Sequence, residues 1–363
     1  MSLSGKILAL HAGRYPQMEV RDCVKLLYQS EFGPGHMVSQ GDALAYLEGE
    51  FNQVLQEGST PAYTVEAIGG GLCRFHLDPA RLTGEDLSLL ARCFTRSARP
   101  RGSREGLWRK LGELMGMTCE GLLPFSPQEV EEFLADYNEE GCPAIHHSDA
   151  FNRAYHPHYR VMDRELAVFF PALQAIGRAL RETEGPVLVA VDGRCASGKT
   201  TFAGLCAQLF EDCNLFHMDD FFLPPELRTE ERLAAPGGNV HYERAEAQLF
   251  RPLSRGEGVT YAPFDCSTFT LGKAVHVPFK RLNIMEGSYS VHPTLAPYST
   301  VKIFLTCDPK RQLRRLEGRD PALLADFQTR WIPMEEAYFK AFAIEKQCDV
   351  TVDTTVLTGE ETL

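Results

Sequence analysis

Apolar residues recur every three or four positions along much of the first 160 residues, as in Val20, Cys23, Val24 and Leu27, then Leu44, Leu47, Phe51 and Val54. A helix turns once in 3.6 residues, so each set lies along one face and predicts an amphipathic helix with that face on a core. Ser126-Pro127-Gln128-Glu129 predicts the start of another helix. Its serine can cap the N–H three residues on, its glutamate can return the bond, and proline suits the first helical position. That helix carries Val130, Phe133 and Leu134 on one face. Residues 63–68 and 72–77 flank Gly69-Gly70-Gly71 and predict two short strands about a flexible turn. Phe32-Gly33-Pro34-Gly35-His36 reads as a further turn.

The pattern changes after a helical stretch over residues 163–181 and the punctuation of Gly185-Pro186. Beyond it lie short, almost continuously apolar runs, at 187–191, 213–218, 282–285 and 301–305. Such runs suit parallel strands covered on both faces. The predicted order is strand, helix, strand, a long irregular stretch, two strands, helices and a last strand. At 363 residues the chain exceeds one ordinary core. The expected division is a mostly helical α+β domain over residues 1–162 and an α/β domain over residues 163–363.

Composition narrows the picture. No apolar run approaches the ~20 residues that span a bilayer, and the first residues lack the pattern of a secretory signal, so a cytoplasmic protein without membrane partners is expected. Eleven cysteines, an odd number without close pairs at zinc-ligand spacing, suit free thiols in a reducing compartment. The formal net charge of -12 disfavours nucleic acid as a partner.

The chemistry concentrates after residue 187. Gly193-Arg194-Cys195-Ala196-Ser197-Gly198-Lys199-Thr200 is a complete G-x-x-x-x-G-K-[ST] loop. It follows a strand-like run and precedes Phe202, Leu205, Cys206 and Leu209 on one helical face, the setting its chemistry requires. The glycines let backbone N–H groups approach phosphate oxygens, and the helix N-terminus adds its positive dipole end. Lys199 supplies charge to the β- and γ-phosphates, and Thr200 a hydroxyl to Mg²⁺. Gly193, Ala196, Ser197, Gly198, Lys199, Thr200 and Thr201 are therefore the candidate ATP-binding residues, and the fold class expected is a P-loop NTPase-type parallel sheet with helices on both faces.

Asp219 and Asp220 follow the second predicted strand, at the end where open α/β sheets bind ligands. A carboxylate there can take the proton of an attacking hydroxyl and help hold a hydrated metal ion. Glu286 ends the strand 282–286 and is a further metal-side candidate beside Thr200 and Asp219. Arg311, Arg314, Arg315 and Arg319 form a cluster able to close over a transferring phosphoryl group.

Together the loop 193–200, Met218-Asp219-Asp220-Phe221-Phe222, Glu286-Gly287 and the segment 315–320 resemble the uridine kinase and phosphoribulokinase family, over about residues 186–352. Residues 331–338 and Cys348-Asp349-Val350 are similar to the family's last helix and strand. The resemblance implies γ-phosphoryl transfer from ATP, with Mg²⁺, to a hydroxyl of a nucleoside, sugar or similar metabolite. It implies Asp219 as catalytic base, with Asp220 in the place of a small polar residue, and Arg315 and Arg319 as lid arginines. Asp220, Phe222, Asn239, His241, Phe264 and Asp265 correspond to its substrate side. The chain departs from the family at three places. His241 stands where an aspartate holds ribose hydroxyls, and a neutral imidazole cannot replace both carboxylate oxygens. The stretch 261–269 lacks the family's histidine and has Phe264 in place of tyrosine, and residues 321–328 lack a Gly-Arg pair, so a shorter lid is expected.

Two other classes compete. A P-loop ATPase or GTPase switch would use the acid after the second strand to position water, but its N-K-x-D base-reading motif is absent, whereas the long Pro- and Gly-rich stretch 223–261 suits an acceptor pocket. A ligand-sensing kinase fold, with the first domain as output, is the third. In that first domain His146, His147, His156 and His158, near Asp149, Tyr155 and Tyr159, form a cluster that could bind a metal ion or phosphate, or simply line a connecting loop.

Overall fold

The structure, a computed structural model, describes residues 1–35, 43–58 and 60–357. The described residues form two compact units, 1–167 and 168–357.

In the first unit, α1 (Leu3–Arg14), α2 (Val20–Phe32), α3 (Ala43–Glu57), α4 (Leu87–Ser97), α5 (Arg104–Cys119), α6 (Pro127–Glu139) and α7 (Asp149–Tyr155) accompany a small antiparallel sheet. Its strands β1 (Val65–Gly69), β2 (Leu72–His76) and β3 (Tyr159–Asp163) run in that spatial order. The periodic residues of α2 are buried as their spacing predicts. In α3, Leu47, Phe51 and Val54 are buried, but Leu44 is 36% exposed and falls off the stripe. Ser126 Oγ caps α6, accepting the Glu129 N–H at 3.1 Å. The predicted strand pair is β1–β2; β3 escapes the pattern because its residues read as a connection between helices. Of the predicted turn at 32–36, His36 lies outside the described residues.

Of the four histidines of the cluster, His146, His156 and His158 line one cavity, and His147 goes elsewhere. His147 is buried against Asp22, at 2.7 Å. His158 lies 3.2 Å from Glu50 and 3.3 Å from Glu57, and His156 3.8 Å from Glu57. Among the described residues no group of three or more His, Cys, Asp or Glu is arranged to hold a metal ion.

The second unit is built on five parallel strands. In chain order these are β4 (Val187–Gly193), β5 (Cys213–His217), β10 (Leu282–Glu286), β11 (Val301–Thr306) and β12 (Val350–Asp353), and in space they run β12-β11-β4-β10-β5. The intervening stretch holds the small antiparallel pairs β6 (Val259–Tyr261) with β9 (Val275–Val277), and β7 (Phe264–Asp265) with β8 (Thr270–Leu271). Helix α8 (Arg164–Glu182) leads into the sheet, and α9 (Lys199–Leu209) follows β4 directly. This is the P-loop type of parallel α/β sheet. Because the chain places β10 and β11 on opposite sides of β4, the carboxyl end of β4 is a topological switch point, the place where open α/β sheets bind ligands. Register brings the candidate residues to it: Glu286 pairs with Val191 on one side and His217 on the other.

Gly193 is required by this arrangement as well as by phosphate chemistry. Its φ is +133°, and a Cβ there would lie 2.0 Å from the Leu305 carbonyl oxygen of β11. Gly193→Ala combines a strained backbone with overlap against a strand, a cost of about 3 kcal/mol. In a unit of this size the expected loss in Tm is roughly 6–12 °C. Calorimetry of the purified variant checks it, and an unchanged transition would contradict the packing.

Candidate active site

The loop 193–200 is held from outside. Its five consecutive carbonyls, from Gly193 to Ser197, all meet side-chain donors. Lys199 Nζ reaches the carbonyls of Gly193 at 2.7 Å and Arg194 at 2.9 Å. Gln312 Nε2 donates to Cys195 O at 3.0 Å, Arg315 Nη1 to Ala196 O at 3.0 Å, and Thr354 Oγ1 to Ser197 O at 2.8 Å. With the carbonyls fastened to the surrounding helices and strand ends, the amides are left to the concave side. The N–H groups of Ala196, Gly198, Lys199 and Thr200 make no hydrogen bond among the described residues. Ala196 and Gly198 have φ of +56° and +97°, which lets successive amides converge. That is the form of an anion-binding nest at a helix N-terminus.

Carboxylates brace the same loop. Asp192 is fully buried and accepts from the N–H groups of Gly193 (2.7 Å), Tyr289 (3.1 Å) and Val291 (2.9 Å) and from Tyr338 Oη (2.9 Å). Burial outweighs these bonds and pushes its pKa up to about 6. Glu335 Oε2 takes the Cys195 N–H at 2.9 Å, while Ser288 Oγ lies 2.5 Å from Glu335 Oε1. Arg194 pairs with Glu336 at 2.7 Å and reaches Thr306 Oγ1 at 2.6 Å.

Acids stand at the neighbouring strand ends, Asp219 within electrostatic range of Lys199. Glu286 is buried, and its Oε1 accepts from Thr200 Oγ1 at 3.2 Å and lies 2.6 Å from His217 Nδ1. That hydrogen bond is the largest cause of a raised His217 pKa. Gly287, with φ +134°, lets β10 end hard against β5: a Cβ there would lie 2.8 Å from the Met218 Cβ. The exit of β5 therefore carries Asp219 beside Glu286. Asp219 is open to solvent, yet protein surrounds it on enough sides that desolvation raises its pKa; Glu286 and Asp220 add to the rise, and Lys199 and His217 oppose it. Asp219, Glu286 and Lys199 thus share one electrostatic field.

The residues expected on the substrate side assemble partly. The backbone of 221–223 pairs with 239–241, through His241 N to Phe221 O (2.7 Å) and Leu223 N to Asn239 O (3.2 Å). Asp220 is half-buried and accepts from Tyr261 Oη at 3.1 Å; burial raises its pKa. Phe222 and Phe264 meet edge to face at 6.4 Å. His241 turns Nδ1 to the Arg244 N–H at 2.9 Å and so caps a short helix, and Asn239 Oδ1 is sealed without a partner among the described residues. Asp265 is exposed and bonds the N–H and hydroxyl of Ser267 in its own turn.

The two lid candidates are engaged by other protein groups. Arg315 is spent on the carbonyl side of the loop, also bonding Thr354 Oγ1 at 2.9 Å and Thr354 O at 2.6 Å. Arg319 lies over the Phe327 ring, 5.5 Å from its centroid. Sequence reasoning missed Asp192, Arg244, Gln312, Glu335 and Thr354 as site residues. Asp192 alone left a signal, a carboxylate inside an apolar run. Arg244, which stacks on Phe221 at 4.4 Å and bonds Ala262 O at 2.6 Å, lies in a stretch without periodicity.

No protein-family model matches the chain, and no curated protein matches it. Solved structures similar to it include a possible uridine kinase from Bacillus stearothermophilus, at 21% identity and a TM-score of 0.38, covering 50% of this chain and 100% of that one. A D-glycerate 3-kinase from Cryptococcus neoformans is 14% identical, with a TM-score of 0.36, covering 47% and 87%. A shikimate kinase from Bacteroides thetaiotaomicron is 16% identical, with a TM-score of 0.27, covering 46% and 86%.

Proposed function

We propose that the second unit is an ATP-dependent phosphotransferase that moves the γ-phosphoryl group to a hydroxyl of a small metabolite such as a nucleoside or sugar. The observation that carries this reading is the loop 193–200, with the unbonded amides of Ala196, Gly198, Lys199 and Thr200 at the start of a helix and Thr200 Oγ1 3.2 Å from the Glu286 carboxylate at a neighbouring strand end.

The free amides of Ala196, Gly198, Lys199 and Thr200 bind the phosphate oxygens, and Lys199 exchanges its loop carbonyls for them. Asp219 takes the proton of the acceptor hydroxyl as its oxygen bonds to the γ-phosphorus, and the bridging β–γ bond breaks to release ADP. A raised pKa makes Asp219 a better base than an ordinary aspartate. Thr200 Oγ1 and Glu286, two hard oxygen ligands within 3.2 Å, fit a magnesium ion, which asks for one or two protein oxygens besides phosphate and water. When bound, that ion neutralises charge between the phosphates. Asp220, Tyr261, Phe222 and Phe264 form the acceptor wall. With no carboxylate at position 241, ribose-diol recognition of the uridine kinase kind is not part of this proposal.

The test is ADP release by purified protein with Mg·ATP against a panel of nucleosides, sugars and hydroxylated vitamins. Stimulation by one acceptor is the expected result. Hydrolysis that is the same with every acceptor and with none would favour the switch reading instead.

A further inference from the structure

The core of the first unit contains a chain of hydrogen bonds whose direction is set at each link. Asp22 accepts from the Ser148 N–H at 3.0 Å and hydroxyl at 2.7 Å, and lies 2.7 Å from His147 Nδ1. Burial opposes its ionisation, but the bonds from His147, the Glu19 N–H and Ser148 outweigh it and hold its pKa below the usual value. Nδ1 of His147 is therefore the donor, and Nε2 accepts from Tyr159 Oη at 2.7 Å. Gln29 Nε2 donates to the same Tyr159 oxygen at 3.2 Å. Gln29 Oε1 is then left to receive Arg74, from Nε at 3.1 Å and Nη2 at 3.0 Å. The relay ends on a guanidinium lying 4.7 Å over the Tyr159 ring.

Arg74 is only 1% exposed, yet its partner is a neutral amide. Among the described residues no carboxylate lies within ion-pair distance of it, and Nη1 has no hydrogen bond. The nearby Glu66 is already satisfied, by Tyr15 Oη at 2.7 Å, His76 Nε2 at 2.7 Å and Arg14 at 3.6 Å. A buried cation with no anion at ion-pair distance is costly to hold. Its field adds to burial in lowering Lys25 to about 8 and His147 to about 3.

Arg74 borders a cavity of about 220 Å³, which Tyr159 and Glu66 also line, together with Val54, Leu77 and Phe151. That is the room of about seven waters, too small for a nucleotide. We propose that this cavity binds a small organic anion, a carboxylate or phosphate monoester, whose charged end pairs with Arg74 and whose carbon skeleton lies on Val54, Leu77 and Phe151. The relay from Asp22 to Gln29 fixes the guanidinium for that purpose. This proposal is independent of the phosphotransferase reading.

Isothermal titration of the full chain with benzoate, with phenyl phosphate and with neutral benzyl alcohol tests it. At least one of the two anions is expected to bind saturably at one site, and the stronger of them identifies the charged group. Benzyl alcohol should bind about tenfold or more weakly, and Arg74→Lys should weaken the anion by a similar factor. Ala154→Trp, at an exposed position of α7 on the cavity rim, should abolish binding without lowering Tm. It decides the matter should Arg74→Lys fail to fold. Absence of saturable binding by both anions, or binding that survives Ala154→Trp, as an anion held in the loop 193–200 would, overturns the proposal.

Discussion

Asp219→Asn is expected to lower acceptor-dependent turnover by about 10²–10⁴-fold while leaving ATP binding close to that of the parent protein. The amide keeps the shape of the side chain but cannot take a proton. The nucleotide cradle is made of other groups, the amides of 196–200 and Lys199, so its affinity should persist. The parent enzyme should also show an acid limb. A base works only when ionised, so the rate rises with pH through the pKa of Asp219 and is lost below it. Desolvation and the Glu286 charge place that limb above the ordinary aspartate range. Lys199 opposes the rise, so its removal shifts the limb further up. Turnover measured between pH 4 and 8 in both proteins checks this, and an Asp219→Asn variant with unimpaired turnover would remove the base.

Lys199→Met should cost at least about 10²–10³-fold in turnover, the scale for removing one donor to developing charge, and should weaken ATP binding as well. The two variants therefore separate. Loss of Asp219 leaves affinity and removes chemistry, whereas loss of Lys199 reduces both. In the free protein the ammonium rests on the carbonyls of Gly193 and Arg194, so its deletion also frees those acceptors and loosens the loop. Equilibrium binding of a fluorescent ATP analogue, beside steady-state rates, distinguishes the cases. Undiminished ATP affinity in Lys199→Met would contradict the placement of the triphosphate.

The sheet was legible because its strands are buried on both faces and so appear as apolar runs, each followed by the residue its carboxyl end presents. Gly193, Asp219 and Glu286 all sit within two residues of such a boundary, and Lys199 opens the helix that follows the first of them. What holds the loop was not legible. Gln312, Glu335 and Thr354 come from three separate stretches of the chain, and each reaches the loop backbone through one hydrogen bond. Arg315 illustrates the same limit: its spacing suggested a phosphate contact, and in the folded chain its guanidinium is engaged by the Ala196 carbonyl and Thr354. His147 was grouped by sequence with three neighbours, but its side chain bonds Asp22 and Tyr159, which belong to α2 and β3. Leu44 obeyed the helical period but lies at the first turn of α3, beyond the edge of the core.

A crystal structure of the protein with Mg²⁺ and a non-hydrolysable ATP analogue tests the central claim most directly. The triphosphate should lie in the loop 193–200 with Lys199 Nζ moved onto its oxygens, the metal between Thr200 and Glu286, and the Asp219 carboxylate facing the γ-phosphorus across a gap the size of a hydroxyl. A nucleotide bound outside that loop, or an Asp219 side chain directed away from the γ-phosphate, would contradict it.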